Sequence, residues 1–312
     1  MENMINGLTH YNMGEPLTTY KIERLQQMKE IFVCFDFLCN LNCPHCTLKD
    51  IPPQRYLDKV YNTMKYIREC NDETLTFNLF GGEPLLLKDE ELKAFAEFFD
   101  NTRIILSTNL LSKLTPYKIE LMKKVEDVNT SWNPKRFTEE QYKHWLSQLD
   151  ILNENNISYS VMITLTKDLM KWKPKDFYEL VCSWKNCRNI DLKQMIGDPT
   201  NDFNVVDEWL CELYDIWKFN KPLNLIFNEM KQIIDGKRIW KNYCKTTTTI
   251  MPNGYLKDGC PYYEYEPSKD FCYMCEYYPI CKGGCNIQEK CTFPKKLYEK
   301  MKNEKSLCDT NP

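Results

Sequence analysis

The sequence has few histidines and no long apolar run. Only three of its 312 residues are histidine (His10, His45 and His144), which disfavours histidine-based zinc sites and acid–base catalysis by imidazole. The longest apolar runs have the length of a strand and are interrupted by charges such as Asp36, so no segment is predicted to span a membrane. The N-terminal residues do not combine a charged segment with an apolar one, so no secretory signal is predicted.

An excess of positive charge is also missing. The 41 Lys and Arg residues and 44 Asp and Glu residues give a net charge of −3, so the overall charge does not predict nucleic-acid binding. Cysteine, by contrast, is abundant, with 16 residues. Without a secretory signal we expect a cytoplasmic protein, in which cysteines serve as metal ligands rather than disulfides.

Strand and helix patterns alternate along most of the chain. This alternation predicts an α/β protein with a parallel sheet, and six strand–helix units are too few for a closed eight-fold barrel. After residue 222 the alternation stops, and half of all the cysteines lie between residues 244 and 308. The predicted strands are 31–38, 74–80, 103–107, 127–132, 158–165 and 189–195, and the predicted helices are 56–70, 89–99, 115–125, 138–155, 175–184 and 205–220.

Three cysteines follow the first predicted strand. Cys39, Cys43 and Cys46 have the spacing Cys-x3-Cys-x2-Cys. Thiolates at this spacing can converge on one metal centre, and three protein ligands rather than four leave one position open for a substrate or cofactor. The alternatives are a zinc knuckle or a few buried free thiols.

Glycines and polar residues lie where the other predicted strands end. The carboxyl ends of parallel strands meet at one edge of a sheet, so these residues are predicted to share a face with the three cysteines. Ordinary capping of strand ends, or a core amide bonded to backbone, is the alternative. The residues are Gly81, Gly82, Glu83, Pro84, Ser107, Asn109, Ser131 and Gln194.

The cysteine triplet and the Gly-Gly-Glu-Pro turn together resemble the signatures of the radical S-adenosylmethionine (AdoMet) enzymes. The resemblance implies a partial (β/α)6 TIM-like barrel in which Cys39, Cys43 and Cys46 bind three irons of a [4Fe–4S] cluster. AdoMet would chelate the fourth iron, and one electron would cleave it to a 5′-deoxyadenosyl radical. His45 stands where this family usually has another aromatic residue.

The resemblance also implies contacts with AdoMet. Glu83, or a backbone carbonyl of residues 81–84, would accept from the ammonium group. Ser107 and Asn109 would contact the carboxylate or ribose, Ser131 would contribute from the fourth strand, and Gln194 would line the pocket from the sixth.

Two positions depart from the family pattern. Leu110 replaces the glycine that often follows Asn109, which puts the geometry of that loop in question. Asn133 replaces the acid that often lies two residues after Ser131, which would weaken or rearrange that contact.

The C-terminal cysteines resemble the SPASM extension of radical AdoMet enzymes. Their run Cys-x2-Cys-x5-Cys-x3-Cys is its specific signature, and the resemblance implies two auxiliary [4Fe–4S] clusters. A pair of zinc sites is the alternative that a thiol count allows. The implied ligands are Cys244, Cys260 and Cys285 for one cluster and Cys272, Cys275 and Cys281 for the other. Cys308 is assigned to the second cluster and Cys291 to the first, and the sequence leaves open which of these two completes which cluster.

These interpretations predict three parts: an N-terminal extension at 1–30, the radical AdoMet barrel at 31–235 and the SPASM domain at 236–312. The expected reaction is hydrogen abstraction from a ribosomally made peptide, leading to a cross-link, an epimerisation or an oxidation. Thirty N-terminal residues are too few for a leader-binding domain of ~80 residues, so a separate leader-binding protein is expected. A flavodoxin or ferredoxin is the expected electron donor.

Two other functions remain open at this point. The first is an AdoMet-dependent dehydrogenase of a small molecule or of a sulfatase Ser or Cys. The second is a non-catalytic iron–sulfur electron carrier or redox sensor, which would bind clusters without cleaving AdoMet.

Overall fold

The computed structural model divides into two compact units. One comprises Met1–Asn129 with Tyr243–Tyr265, and the other comprises Thr130–Asn242 with Glu266–Pro312. The residues that the structure describes are 29–43, 46, 48, 51–71, 75–194, 202–220, 226–235, 248–258, 274–281, 291 and 293–309.

The described residues form an α/β fold with a largely parallel sheet, as the sequence predicts. The strands are β1 (Glu30–Cys34), β2 (Thr76–Phe80), β3 (Arg103–Ser107), β4 (Asp127–Ser131), β5 (Tyr159–Leu165), β6 (Cys187–Gln194), β7 (Ile226–Phe227), β8 (Thr248–Ile250) and β9 (Leu256–Asp258). The helices are α1 (Leu57–Cys70), α2 (Asp89–Lys93), α3 (Ala96–Asn101), α4 (Pro116–Lys124), α5 (Glu139–Glu154), α6 (Lys167–Met170), α7 (Pro174–Cys182), α8 (Phe203–Asn220), α9 (Asn228–Ile234), α10 (Tyr278–Cys281) and α11 (Lys295–Asp309), with a 3-10 helix at Pro84–Leu86.

Local sequence explains where several helices begin. Thr115 accepts a hydrogen bond from the Lys118 N–H, and a proline occupies the first turn of α4. Thr138 and Gln141 form a reciprocal capping box at the start of α5. Both arrangements satisfy N–H groups that have no partner inside the helix.

In the first unit the strand order is β4-β3-β2-β1-β8-β9. Every neighbouring pair except the β8–β9 hairpin is parallel. Alternate residues of β2 and β3 are buried, as expected for strands with one face packed under helices. Phe77 of β2 meets Phe98 of α3 edge to face at 5.8 Å, and Tyr61 of α1 meets the same ring at 5.5 Å.

In the second unit the order is β4-β5-β6-β7, so β4 belongs to both units. Tryptophans dominate its core. Trp184 lies 5.4 Å from Trp145 and 5.9 Å from Trp132 between ring centroids. The Trp145 ring N–H donates to the hydroxyl of Thr130, so the indole brings its polar group into the core with a partner.

The structure differs from the sequence prediction in two places. The predicted helix at 89–99 is two short helices, because buried Phe95 takes a non-helical backbone conformation between them and packs on Phe35 at 4.8 Å. The alternation also does not stop at residue 222, since β7 and α9 form a further strand–helix unit and β8 pairs in parallel with β1. Strands of two and three residues are too short to show a period of two. No described helix is long and apolar enough to cross a membrane.

Candidate functional site

The cysteine loop, defined as residues 37–54, follows β1 in the first unit, and Cys39 lies five residues after the strand ends. The Cys46 N–H donates to the Cys43 carbonyl at 3.0 Å, which closes a turn between the second and third cysteines. The Leu41 N–H donates to the Cys39 sulfur, and the Leu48 N–H donates to the Cys46 sulfur, both at 3.4 Å. Such bonds stabilise the negative charge on sulfur that a metal ligand carries.

Several groups that carry negative charge when ionised lie near the Cys39 thiol. Burial raises the pKa of this thiol, the Leu41 N–H lowers it, and Glu83, Cys43 and Cys46 raise it further. Crowded thiolates of this kind are favoured when a cation neutralises them. Among the described residues, no group of three or more Cys, His, Asp or Glu side chains is close enough together to hold a single metal ion. A [4Fe–4S] cluster uses a different iron for each thiolate, so it does not require the sulfurs to meet at one point.

The Gly-Gly-Glu-Pro turn packs against the start of the cysteine loop. Gly81 and Gly82 have φ values of +82° and +50°. A Cβ on Gly81 would lie 2.1 Å from the Cys34 sulfur, and one on Gly82 would lie 2.2 Å from the Leu38 carbonyl oxygen. Both glycines are therefore required for close packing against the chain itself, Gly81 against the Cys34 side chain and Gly82 against the backbone at Leu38.

Glu83 holds the loop that follows β3. Its buried carboxylate accepts from the Thr108 hydroxyl and from the Asn109 N–H, each at 2.6 Å, and from the Leu85 N–H at 2.9 Å. Because the carboxylate faces these protein donors, a backbone carbonyl of the turn is the better candidate to accept from AdoMet. Thr108 was missed in the sequence, where it looked like one more polar residue after a strand.

Asn109 connects the end of β3 to the cysteine loop. Its side-chain N–H2 donates to the Asn40 side-chain oxygen at 2.7 Å and lies 3.6 Å from the Cys39 sulfur, and its side-chain oxygen accepts from the Leu111 N–H at 2.8 Å. Ser107, the last residue of β3, is half-buried and pairs in register with Asn129. The structure thus brings Asn109 beside Cys39, as expected for residues at the carboxyl edge of the sheet.

The backbone at Leu110 shows the geometry of the loop at the position where the family often has a glycine. Its φ is +56°, and its side chain is fully buried. The Leu110 N–H donates to the Thr108 hydroxyl at 3.0 Å. The loop therefore keeps the left-handed conformation that glycine favours, although a leucine occupies the position.

An ion pair between a buried carboxylate and a half-buried arginine closes the cysteine loop, and the sequence interpretation missed it. Asp36 and Arg55 flank the loop, with 2.7 Å between the Asp36 Oδ2 and Arg55 Nε atoms. In the sequence Asp36 was only a charge that interrupted an apolar run. A charged residue inside the apolar strand predicted at 31–38, just before a metal-binding motif, was the available signal, because such a charge needs a partner.

The second unit holds two of the predicted contact residues. Ser131 is the last residue of β4, and Gln194 is the last residue of β6. The Asn133 side chain accepts from the Thr164 N–H at 3.0 Å and donates to the Thr164 carbonyl at 2.5 Å. This buried amide extends the pairing of the two strands beyond their ends.

A pocket of about 400 Å³ lies beyond the ends of β4 and β5 in the same unit. Aromatic rings form much of its wall, and charged side chains lie among them. Asp168 accepts from the ammonium groups of Lys135 and Lys171 at 2.9 and 2.7 Å. The aromatic residues that line the pocket are Trp132, Phe137, Tyr142 and Trp172.

Part of the C-terminal cysteine set is described. Cys275 is half-buried, Cys281 is buried at the end of α10, Cys291 is exposed, and Cys308 lies on α11. The other four predicted ligands, Cys244, Cys260, Cys272 and Cys285, lie outside the described residues. The two auxiliary ligand sets therefore stay predictions, as do the domain boundaries at residues 30 and 235.

These features define a class of protein. Residues 37–181 match the Radical SAM superfamily, and the matched segment contains the cysteine loop, the glycine turn and the Asn109 loop. This part of the chain is a radical SAM domain, so the resemblance seen in the sequence is confirmed. The superfamily binds AdoMet and a [4Fe–4S] cluster.

Individual relatives agree with this class. The Radical SAM cyclopropyl synthase TigE of Paramaledivibacter caminithermalis is 20% identical, and the match covers 97% of this chain and 76% of TigE. The structure of anSMEcpe with bound AdoMet and Cp18Cys peptide superposes with a TM-score of 0.71 at 14% identity, covering 90% of this chain and 98% of that one. Streptococcus suis SuiB bound to its precursor peptide SuiA gives 0.63 at 14% identity, covering 91% and 82%.

Proposed function

We propose that this protein is a radical AdoMet enzyme that modifies a peptide. The observation that carries the proposal is the contact of Asn109 and the Gly-Gly-Glu-Pro turn with the cysteine loop. A simple electron carrier needs the cysteines but has no need for this surrounding structure. Cys39, Cys43 and Cys46 would hold the cluster, and the neighbouring turns would present AdoMet to its open position.

When bound, AdoMet and the cluster would supply the chemistry of one-electron cleavage of AdoMet to a radical that abstracts hydrogen from the substrate. The protein residues have supporting roles. Peptide N–H groups stabilise the Cys39 and Cys46 sulfurs, and Glu83 fixes the loop that carries Asn109. Asn109, with one donor directed at Asn40 and Cys39, sets the position of the first cysteine relative to β3.

Two observations favour a peptide as the substrate. The structures of anSMEcpe and SuiB, which share this fold, were each solved with a bound peptide. The pocket beyond β4 and β5 has aromatic walls and a volume of about 400 Å³, which suits the side chain of a peptide residue. The proposed modification is a cross-link, an epimerisation or an oxidation, and which of these forms depends on the peptide.

The C-terminal cysteines would bind two auxiliary clusters with four thiols each. Full ligation would leave no iron open to substrate, so these clusters would transfer electrons or stabilise the tail. A flavodoxin or ferredoxin would supply the electron, and a separate protein would bind the leader of the peptide.

Replacing the three cysteines of the loop tests the proposal. The parent protein, reconstituted anaerobically, is expected to bind about twelve irons per chain, and the variant Cys39→Ala/Cys43→Ala/Cys46→Ala about eight, since one of three four-iron clusters is lost. With dithionite and AdoMet, the parent should form 5′-deoxyadenosine and the variant none. Cys182→Ala, which changes an exposed thiol, is the control and should behave like the parent.

Three results would contradict the proposal in different ways. Iron without 5′-deoxyadenosine in the parent would indicate an electron carrier. Zinc in the C-terminal sites would remove the auxiliary clusters but not the radical chemistry. Formation of 5′-deoxyadenosine without any change in peptides encoded near this gene would favour a small-molecule substrate.

A further inference from the structure

We propose that Asp36 and Arg55 are positioning residues that hold the cysteine loop in the shape needed for cluster and AdoMet binding. This inference rests on the proposed function, because it assigns a role to residues around the same site. Neither residue belongs to the cysteine or Gly-Gly-Glu-Pro motifs. The pair is identified from the burial of Asp36, from its hydrogen bonds and from its place at the two ends of the loop.

Asp36 accepts hydrogen bonds from both sides of the loop. Its Oδ1 atom accepts from the Leu38 N–H at 2.9 Å and from the Gln54 N–H at 3.2 Å. Its Oδ2 atom accepts from Arg55 Nε at 2.7 Å. The residue is only 6% exposed, so the carboxylate depends on these donors in place of water.

Arg55 also connects the end of the cysteine loop to helix α2. Its Nη1 atom lies 3.3 Å from Oε1 of Glu91, which belongs to α2. The planar guanidinium uses separate N–H groups for the two carboxylates, an arrangement that a lysine ammonium reproduces poorly. The far end of the cysteine loop is thus fixed both to its own beginning and to a neighbouring helix.

The contacts also fix the residue that precedes Cys39. The Leu38 N–H donates to Asp36, and the Leu38 carbonyl accepts from the Glu83 N–H at 2.8 Å. Both backbone polar groups of Leu38 are therefore held, one by the ion pair and one by the glycine turn. An uncharged side chain at position 36 loses its pairing with Arg55 and accepts more weakly from the Leu38 N–H. The restraint on Leu38, and through it on Cys39, is then loosened.

A second arginine–carboxylate pair, away from the cysteine loop, provides a control. Arg103 and Glu126 also form an arginine–carboxylate pair in the first unit. Their side chains are 56% and 40% exposed, and they lie at the amino ends of β3 and β4, opposite the edge that carries the cysteine loop. Arg103→Lys therefore changes the same chemistry without touching the cysteine loop.

The test compares Asp36→Asn, Arg55→Lys and Arg103→Lys with the parent protein. Each is reconstituted anaerobically, and its iron content, its electron paramagnetic resonance spectrum after reduction and the AdoMet-induced change in that spectrum are measured. For Asp36→Asn and Arg55→Lys we expect either the loss of about four irons or an AdoMet dissociation constant raised about 10- to 100-fold, as when an outer partner of a metal ligand is removed. Arg103→Lys should match the parent.

Circular dichroism and thermal unfolding separate positioning from general stability. Arg55→Lys retains the positive charge beside Asp36 and is the variant chosen to fold. Lower unfolding temperatures in Asp36→Asn and Arg55→Lys, with iron content and AdoMet titration unchanged from the parent, would overturn the inference. A parent that binds no cluster through Cys39, Cys43 and Cys46 would instead overturn the proposed function, so the two failures are distinguishable.

Discussion

At the scale of single residues, Leu110 shows how the chain accommodates a departure from its family. A leucine with a φ of +56° is strained, at about 1–2 kcal/mol for a left-handed non-glycine residue. Its fully buried side chain offsets this cost by removing apolar surface from water. The loop beside Cys39 therefore keeps its shape through packing where glycine would keep it through conformational freedom.

This balance predicts an unusual order of stability for two variants. Both Leu110→Ala and Leu110→Gly lose the buried side chain, at about 2–5 kcal/mol. Only Leu110→Gly relieves the backbone strain, so it should be the more stable of the two in urea unfolding. Leu106, a buried leucine of β3 with ordinary strand geometry, is the control, and there the alanine variant should be the more stable. The same order at both positions would contradict the account of Leu110.

At the scale of elements, the glycine turn after β2 is a packing element of the cysteine loop. Gly82 approaches the backbone carbonyls of Asp36 and Leu38 so closely that any side chain would displace them. The turn and the loop therefore must move together. This is the reason that a motif with no metal ligand of its own can govern a metal site.

Gly82→Ala is expected to cost stability and also iron. The strained conformation and the overlap with the Leu38 carbonyl should together lower the free energy of unfolding by about 1–3 kcal/mol. Iron content after reconstitution should fall by about four per chain, since one four-iron cluster depends on the loop. Gly254→Ala provides the comparison, because Gly254 also has a positive φ (+82°) and a crowded Cβ position, but it lies in the β8–β9 hairpin against Lys59. It should lose stability and keep its iron; equal iron loss in both would contradict the prediction.

At the scale of the whole molecule, long-range polar contacts attach the C-terminal helix to the second unit. The carboxylate of Asp207, on α8, accepts from the Lys296 and Leu297 N–H groups at the start of α11. Farther along the same two helices, Glu304 accepts from Lys218 and Tyr214. A helix that follows the cysteine-rich segment is thus anchored by residues about 90 positions earlier in the chain.

The anchor predicts a pH dependence that Asp207→Asn should remove. Burial raises the pKa of Asp207, and the two N–H groups and the Lys296 charge only partly oppose this. An acid whose folded pKa lies above its unfolded value contributes stability below the unfolded pKa, and this contribution is lost as pH rises through the folded pKa. Urea unfolding from pH 4 to 7 should therefore show the variant gaining stability relative to the parent as pH increases, and a constant difference would contradict the assignment.

Asp215 provides a control with the opposite sign. Burial raises the pKa of this carboxyl, but the ammonium groups of Lys300 and Lys218 outweigh burial and lower it overall. Its contribution to stability is present above the unfolded pKa and lost as pH falls through the folded one. Asp215→Asn should therefore be less stable than the parent near pH 7, and the difference should shrink towards low pH.

The sequence by itself determined the class of this protein and its main alternation of strands and helices. Cys39, Cys43 and Cys46 lie within eight residues, and the glycine turn directly follows a strand, so both signals are local and survive without knowledge of the fold. The six alternating strand and helix patterns likewise predict the parallel sheet from the spacing of apolar residues alone. The short strands β7 and β8 left no such pattern, because pairing with a longer neighbour forms them.

Only the tertiary structure decided what holds the site together. Asp36 and Arg55 are 19 residues apart, and Glu83 and Thr108 are 25 apart, so neither pair has a sequence pattern. Asn133, which stands where the family often has an acid, is bonded to Thr164, 31 residues away. The physical reason is that a buried charge or amide needs partners, but the fold, rather than the local sequence, determines which donors lie within reach.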